Sequence, residues 1–344
     1  MLDNEELDIE GNDVDLDIAR NEIFSFSASF SLAEYSKKLD NKVFYNPEFQ
    51  RRYIWDEKRK SRFIESLLYD FPIPQIFLYK EPQAEKYMII DGYQRISTIN
   101  AFFHNNFVLT SVNDNLLGKK FDDLSNNDQE MLRNKQLTAT IVRQIQPKNE
   151  SILYSLFDRL NTGGQNLNNM EVRRAISFGP LIKNLEKINE DPNWRLIWGK
   201  KEIHERFLDV ELILRVLAFS QSWDRQSEKL IDYKNLKGFL NTYCLRNRNE
   251  EQKEFFHLFP KITKSIIEQL GETPFTLYQR PNYVLLDSVV TALLIKGQIC
   301  HDLKKKFELL KNDDEFKTIY EAKQGTMSAK SINTRIKLAL DYLL

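Results

Sequence analysis

The stretch YMIIDGYQRISTINAFF, residues 87–103, changes character half-way along. Residues 87–90 read as a buried strand, whereas Ile96, Ile99 and Phe103 recur at helical spacing. Between them lies Asp91-Gly92, a pair that favours a sharp bend because glycine tolerates positive φ. A strand that turns directly into a helix exposes the unpaired N–H groups of the helix start, with Arg95 close beside them. Such a corner is either purely structural or a seat for a phosphate.

Outward from this turn, the signals from Ile23 onward change type every ten to fifteen residues, the rhythm of a mixed α/β unit. IFSF reads as a strand, SLAEYSKKL as a short helix capped by Ser31, and KVFY as another strand. WDEKRKSRFIESLLYDF reads as a helix with Asp56 as N-cap and Phe63, Ile64, Leu67 and Leu68 turned inward. The prolines of FPIPQIFLYK end that helix and release a strand over 75–80. SNNDQEMLRNK is helical and 137–144 alternates as a further strand. Past Pro147 strand signals nearly vanish and helical periodicity runs to Leu344. The fold class is therefore α+β, with an acidic arm over 1–22, a mixed unit over 23–147 and a helical unit over 148–344.

Composition sets bounds on function. The chain has 344 residues, 42% of them apolar, enough for two cores. Its formal charge of −1 conceals an asymmetry, since residues 1–22 carry nine acidic side chains against Arg20 alone. The rest is mildly basic, which suits nucleotide or nucleic acid but also arises from lysines dispersed on solvated helices. Cys244 and Cys300 stand apart, with neither a disulfide framework nor a cysteine zinc site, and a reducing cytoplasm is expected. No secretory signal or membrane span is expected: the apolar runs VELILRVLAF and YVLLDSVVTALLI are short and contain Arg215 and Asp287.

Three constellations could carry chemistry. In the first, Gln50, Arg51 and Arg52 lie between a strand and a helix, and at least one arginine must meet solvent or an anion; a surface pair with Glu57 explains it equally well. The second is the turn itself, where Arg95 offers a fork of donors, Gln94 an amide, and Gly92 and Tyr93 backbone N–H groups. Asp91 would repel phosphate and fits better as a ligand of Mg²⁺ or as the group that orients a water. Ser97 and Thr98, further along the same helix, complete this candidate set. In the third, Asn161, Thr162, Gly163 and Gly164 make a bend between two helical segments, with Arg173 and Arg174 following; an ordinary helix–helix turn accounts for it as well. A P-loop and a G-x-G-x-x-G fingerprint are missing, and the four histidines show no metal-binding spacing.

Taken in order, FQRRYIWDEKRKSRFIESLLYDFPIPQIFLY, IIDGYQRISTINAF and FDRLNTGGQNLNNMEVRRAI resemble the GmrS-like N-terminal domain of GmrSD-type modification-dependent restriction systems. The resemblance implies a ParB/sulfiredoxin-like nucleotide-binding fold. It also implies that a nucleoside triphosphate with Mg²⁺ is bound, and hydrolysed, as part of defence against phage with modified DNA. The family's D-G-Q-Q-R segment maps onto Asp91, Gly92, Gln94 and Arg95, with Tyr93 in place of the first glutamine. Asp91, Gln94 and Arg95 are then the catalytic candidates. Gln50, Arg51, Arg52, Gly92, Tyr93, Ser97, Thr98 and Asn161 to Gly164 would hold nucleotide. Many members carry a C-terminal HNH nuclease domain; none is expected here, so cleavage would come from a separate HNH-type chain or from the same cleft acting as a metal-dependent nuclease. A non-catalytic nucleotide- or DNA-binding module is the third reading, suggested by Tyr93. DNA is the expected partner, and homo-oligomerisation is left open.

Overall fold

The computed structural model describes residues 23–46, 55–81, 84–144, 154, 156, 168–298 and 300–343. The chain divides into two compact units, one spanning 14–167 and one built on 168–344. The acidic arm and the expected boundary at 147/148 lie outside the described residues. The fold is α+β: a mixed sheet with helices, then an almost wholly helical unit.

In the first unit five strands, β1 (Ile23–Ser31), β2 (Phe44–Tyr45), β3 (Ile76–Lys80), β4 (Tyr87–Asp91) and β5 (Gln136–Gln144), form one sheet in the order β1-β5-β3-β4-β2. β3 runs parallel to β5 and antiparallel to β4, which pairs in parallel with β2. The sheet is covered by α1 (Leu32–Asp40), α2 (Glu57–Leu68), α3 (Tyr93–Phe103) and α4 (Asn126–Asn134). Their starts follow from local chemistry. Ser31 accepts from the Glu34 amide at 3.2 Å while the Glu34 carboxylate accepts from the Ser31 amide at 2.7 Å, a reciprocal cap. The Ser31 amide, together with the Ser31 hydroxyl that donates to the same carboxylate at 3.0 Å, holds the Glu34 carboxyl below its usual range. Asp56 caps α2 through the Arg59 amide at 2.7 Å, and Phe63, Ile64 and Leu67 are buried on its inner face. Leu78, Ile89, Ile96, Ile99 and Phe102 form the centre of the core; each such side chain contributes about 1.5–3 kcal/mol on burial. Tyr35 ties α1 to β5 by donating to the Leu137 carbonyl at 3.1 Å, and burial pushes its phenol well above the usual range.

Two expectations need adjustment. KVFY yields only the two-residue β2, because Lys42 leaves α1 with a φ of 56° and the chain extends only afterwards. The helical unit also contains two short hairpins, β6–β7 (Trp223–Asp224 and Lys229–Leu230) and β8–β9 (Thr276–Leu277 and Arg280–Pro281). Two-residue ladders are too short to show a period of two.

The second unit comprises α5 (Asn169–Ile176), α6 (Pro180–Ile188), α7 (Pro192–Trp198), α8 (Leu208–Ser222), α9 (Leu236–Asn247), α10 (Lys253–Leu270), α11 (Tyr283–Lys296), α12 (Leu303–Lys311), α13 (Asp314–Tyr320) and α14 (Ala329–Leu343). α8 and α11 are buried along nearly their whole length, as all-round apolar helices must be. Among the described residues no helix is long and apolar enough to cross a membrane. The charges within α8 and α11 meet each other: Arg215 donates to Asp287 at 3.2 Å, and Arg335 of α14 donates to both Asp287 oxygens. All three side chains are 0% exposed.

Both cysteines are buried, and burial pushes the Cys244 thiol up to about 12. Thiolate, the reactive form, is therefore scarce at Cys244 at pH 8, and Cys300 is buried away from solvent. The folded chain is expected to give no fast reaction with Ellman's reagent, and two reactive thiols after unfolding in guanidinium. A rapid native signal would contradict this packing.

Candidate functional site

The site is built on the β4–α3 corner. Asp91 is the last residue of β4, paired with Phe77 of β3 where the register slips by one residue. Gly92 then takes φ 98° and ψ 8°, and α3 begins with Tyr93. An added Cβ at Gly92 would stand 2.4 Å from Ile76 Cδ1 and 3.2 Å from the Arg95 guanidinium, so the bend needs glycine for space as well as for φ. Among the described residues no side chain caps this helix start, although the Gly92 carbonyl accepts the first helical bond from Ile96 at 3.0 Å. The corner therefore retains the partial positive charge of a helix N-terminus.

Arg95 departs from its expected role. Its Nη2 donates to Asp91 Oδ2 at 2.6 Å, and its Nη1 donates to the carbonyls of Pro74 and, at 3.1 Å, Gln75. The side chain is 10% exposed. Both terminal nitrogens thus face protein, and the guanidinium clamps the loop before β3 to the turn after β4. It orients Asp91; it does not hold out a fork to a phosphate. Asp91 keeps a third of its side chain exposed, and its Oδ1 has no hydrogen-bond partner among the described residues.

Gln94 is likewise engaged: its Oε1 accepts from the Trp55 amide at 3.0 Å, joining α3 to the start of α2. Trp55 in turn packs edge-on against Phe63 at 5.4 Å. Ser97 bonds back to the Gln94 carbonyl at 3.2 Å. Thr98 is 1% exposed and its hydroxyl has no partner among the described residues; it belongs to the core side of α3, not to a solvent-facing surface, because five residues beyond Tyr93 a helix has turned inward. Tyr93 is half-buried at the corner.

A strand, an Asp-Gly bend in left-handed geometry and a clamped arginine one turn into the next helix now stand together, within a segment whose match to a known family is specific. Residues 32–178 match the family model of the GmrSD restriction endonuclease, N-terminal domain. Over this segment the chain is similar to that domain. No curated protein matches the chain.

Within the matched segment, the candidates Gln50, Arg51 and Arg52 and the bend Asn161, Thr162, Gly163 and Gly164 lie outside the described residues. The structure brings Asp91, Gly92, Tyr93, Gln94 and Arg95 to one corner. Arg173 and Arg174, which follow the bend in sequence, are structural. Arg173 donates to Glu211 at 2.8 Å and to Asn241 at 2.9 Å. Arg174 pairs with Glu186 at 2.5 Å and covers the Phe207 ring at 3.6 Å. Sequence reasoning missed the Pro74 and Gln75 carbonyls and the Trp55 amide. No periodicity links them to α3, although two prolines before a strand do mark a loop whose carbonyls lack ladder partners. Among the described residues no three His, Cys, Asp or Glu side chains converge on a metal position.

Proposed function

We propose that this chain is a component of a DNA restriction system whose GmrSD N-terminal domain binds a nucleoside triphosphate with Mg²⁺ at the Asp91 corner and hydrolyses it. The observation that carries the reading is the clamped Asp91: one oxygen is fixed by Arg95, and the other, at the mouth of the α3 start, has no hydrogen-bond partner among the described residues. A single carboxylate suits Mg²⁺, which keeps waters and shares its shell with phosphate oxygens, better than it suits an all-protein metal cage. Bound there, Mg²⁺ would neutralise charge on the phosphates. Asp91 would hold it, Arg95 would keep the carboxylate aimed, and the amides at the start of α3 would receive phosphate oxygens.

Magnitudes show what else is needed. A helix start supplies about 0.3–1 kcal/mol and a charged hydrogen bond about 1.5–3 kcal/mol, against the roughly 8.2 kcal/mol of micromolar binding. With Arg95 committed to protein, the cationic share falls to Arg51 and Arg52, with Gln50 offering a neutral amide, and the 161–164 bend would close the pocket. A ParB/sulfiredoxin-like reading of the sheet accords with a site at the carboxyl end of β4. Foreign, modified DNA is the proposed target, and a separate HNH-type chain would make the cut. A homo-oligomer is compatible with this scheme.

The test is release of inorganic phosphate from each nucleoside triphosphate with Mg²⁺, with and without DNA carrying modified bases. Asp91→Asn is expected to lower release by about 100-fold, while Arg95→Ala lowers both release and melting temperature, because it frees the loop before β3 as well as Asp91. Absence of release from every nucleotide, together with no nucleotide-induced rise in melting temperature, would sink the proposal. A rise without release favours a non-catalytic module, the reading that Tyr93 supports because a ring can stack on a base but cannot replace the amide of glutamine. Nicking of supercoiled DNA without nucleotide, abolished by Asp91→Ala, would instead indicate a metal-dependent nuclease.

A further inference from the structure

In the helical unit, the β8–β9 hairpin closes through a two-residue loop, Tyr278-Gln279, with Leu277 opposite Arg280. Both loop residues have positive φ, 50° and 64°, the only consecutive non-glycine pair in that region among the described residues. Two-residue hairpin loops of this kind normally take Asn-Gly, because an L side chain in left-handed geometry costs about 1–2 kcal/mol. The Tyr278 side chain recovers little within the chain, since the residue is 83% exposed, the most exposed of the large hydrophobic residues described. Unfavourable backbone retained beneath an aromatic left 83% exposed is the mark of a displayed side chain.

The hairpin is a firm platform for it. Phe275 at its foot is 2% exposed and meets Phe307 of α12 edge-on at 5.7 Å. Asn282 donates to the Tyr320 carbonyl at 2.8 Å and caps α11 through the Leu285 amide at 3.0 Å. Between the hairpin and the end of α13 opens a cavity of about 350 Å³, lined by Tyr278, Arg280, Asn282, Tyr320 and Glu321 among others. One wall offers an aromatic face, the rim a guanidinium and a carboxylate. α12, which anchors the foot, also carries Lys304, Lys305 and Lys306.

We infer that this cavity is a nucleobase-binding site, in which Tyr278 stacks on an unpaired base of DNA. The chemistry matches on each count. A base presents a π-face to the tyrosine ring, an exocyclic amino group that a carboxylate such as Glu321 can accept from, and a flanking phosphate for Arg280 or the α12 lysines. The space is of the size that small ligands occupy. The inference rests on the DNA partner proposed above, but not on the Asp91 corner.

The test uses the full chain and a single-stranded oligonucleotide containing 2-aminopurine, alongside a paired duplex and a duplex with one unpaired base. Wild type is expected to quench the probe and to prefer the strands with an unpaired base over the paired duplex. Tyr278→Ala should weaken that binding by about 5- to 140-fold, the equivalent of about 1–3 kcal/mol per stacked base, and Tyr278→Phe should restore it. Glu321→Gln should change which base is preferred. Equal affinity of wild type and Tyr278→Ala overturns the inference, as does a wild type that binds no oligonucleotide. Phosphate release, read in the same samples, reports on the Asp91 corner alone, so the two proposals can fail separately.

Discussion

Asp287→Ala is expected to cost the helical unit about 3–5 kcal/mol, the usual penalty for removing one partner from a buried ion pair. Asp287 is the shared acceptor of Arg215 and Arg335, and none of the three is exposed. Without it, the carboxylate left to Arg215 among the described residues is Glu211 at 3.6 Å, already engaged by Arg173 at 2.8 Å, beside the weak sulfur acceptor of Met327 at 4.0 Å. Arg335 keeps Ser288 at 2.7 Å and the Val284 carbonyl at 3.2 Å, neutral acceptors that cannot balance its charge. For a unit of this size the loss corresponds to a fall of about 6–20 °C in melting temperature, read by calorimetry as the transition that moves. An Arg215→Met, Asp287→Leu, Arg335→Met triple variant should regain more than half of the loss, because apolar replacement of a whole buried ionic triad is often neutral. A melting temperature unchanged by Asp287→Ala would mean that water reaches these guanidiniums.

Gly92→Ala is expected to cost the α/β unit about 2–5 kcal/mol, summing the left-handed backbone of an L residue with overpacking of the core. The contact is with Ile76 Cδ1, and Ile76 is itself 0% exposed, so the methyl group cannot be accommodated by a shift into solvent. Gly118→Ala provides the control. It too has positive φ, 76°, but an added Cβ would meet nothing within 4 Å; only the backbone part, about 1–2 kcal/mol, should appear. Urea unfolding followed by far-ultraviolet circular dichroism measures both. Equal losses for the two glycines would show that the corner is not as tightly packed as described.

Much of the α/β unit was legible from the chain, for a local reason. Ser31 and Asp56 cap helices through amides three residues on, the inner faces of α2 and α3 repeat at helical spacing, and β5 alternates between buried and exposed positions. The Asp91-Gly92 bend was legible too, since glycine is the residue that its φ demands. The arginine beside it was legible as present but not in its task. Charge and spacing place Arg95 beside Asp91 at the corner, whereas its two carbonyl acceptors sit on a loop some twenty residues earlier.

The division between the two levels follows from the reach of each interaction. Helix starts, strands, turns and the apolar faces that become core are set within a few residues, so the order of amino acids alone determined them and, through three spaced segments, the likeness to the GmrSD N-terminal domain. Tertiary structure alone decided which carbonyls take the Arg95 guanidinium, that Gln94 bonds Trp55, that Arg215, Asp287 and Arg335 converge from three helices, and that Tyr278 is displayed on a hairpin. A buried charge must find its partner wherever packing brings one, and packing joins residues that no local pattern connects.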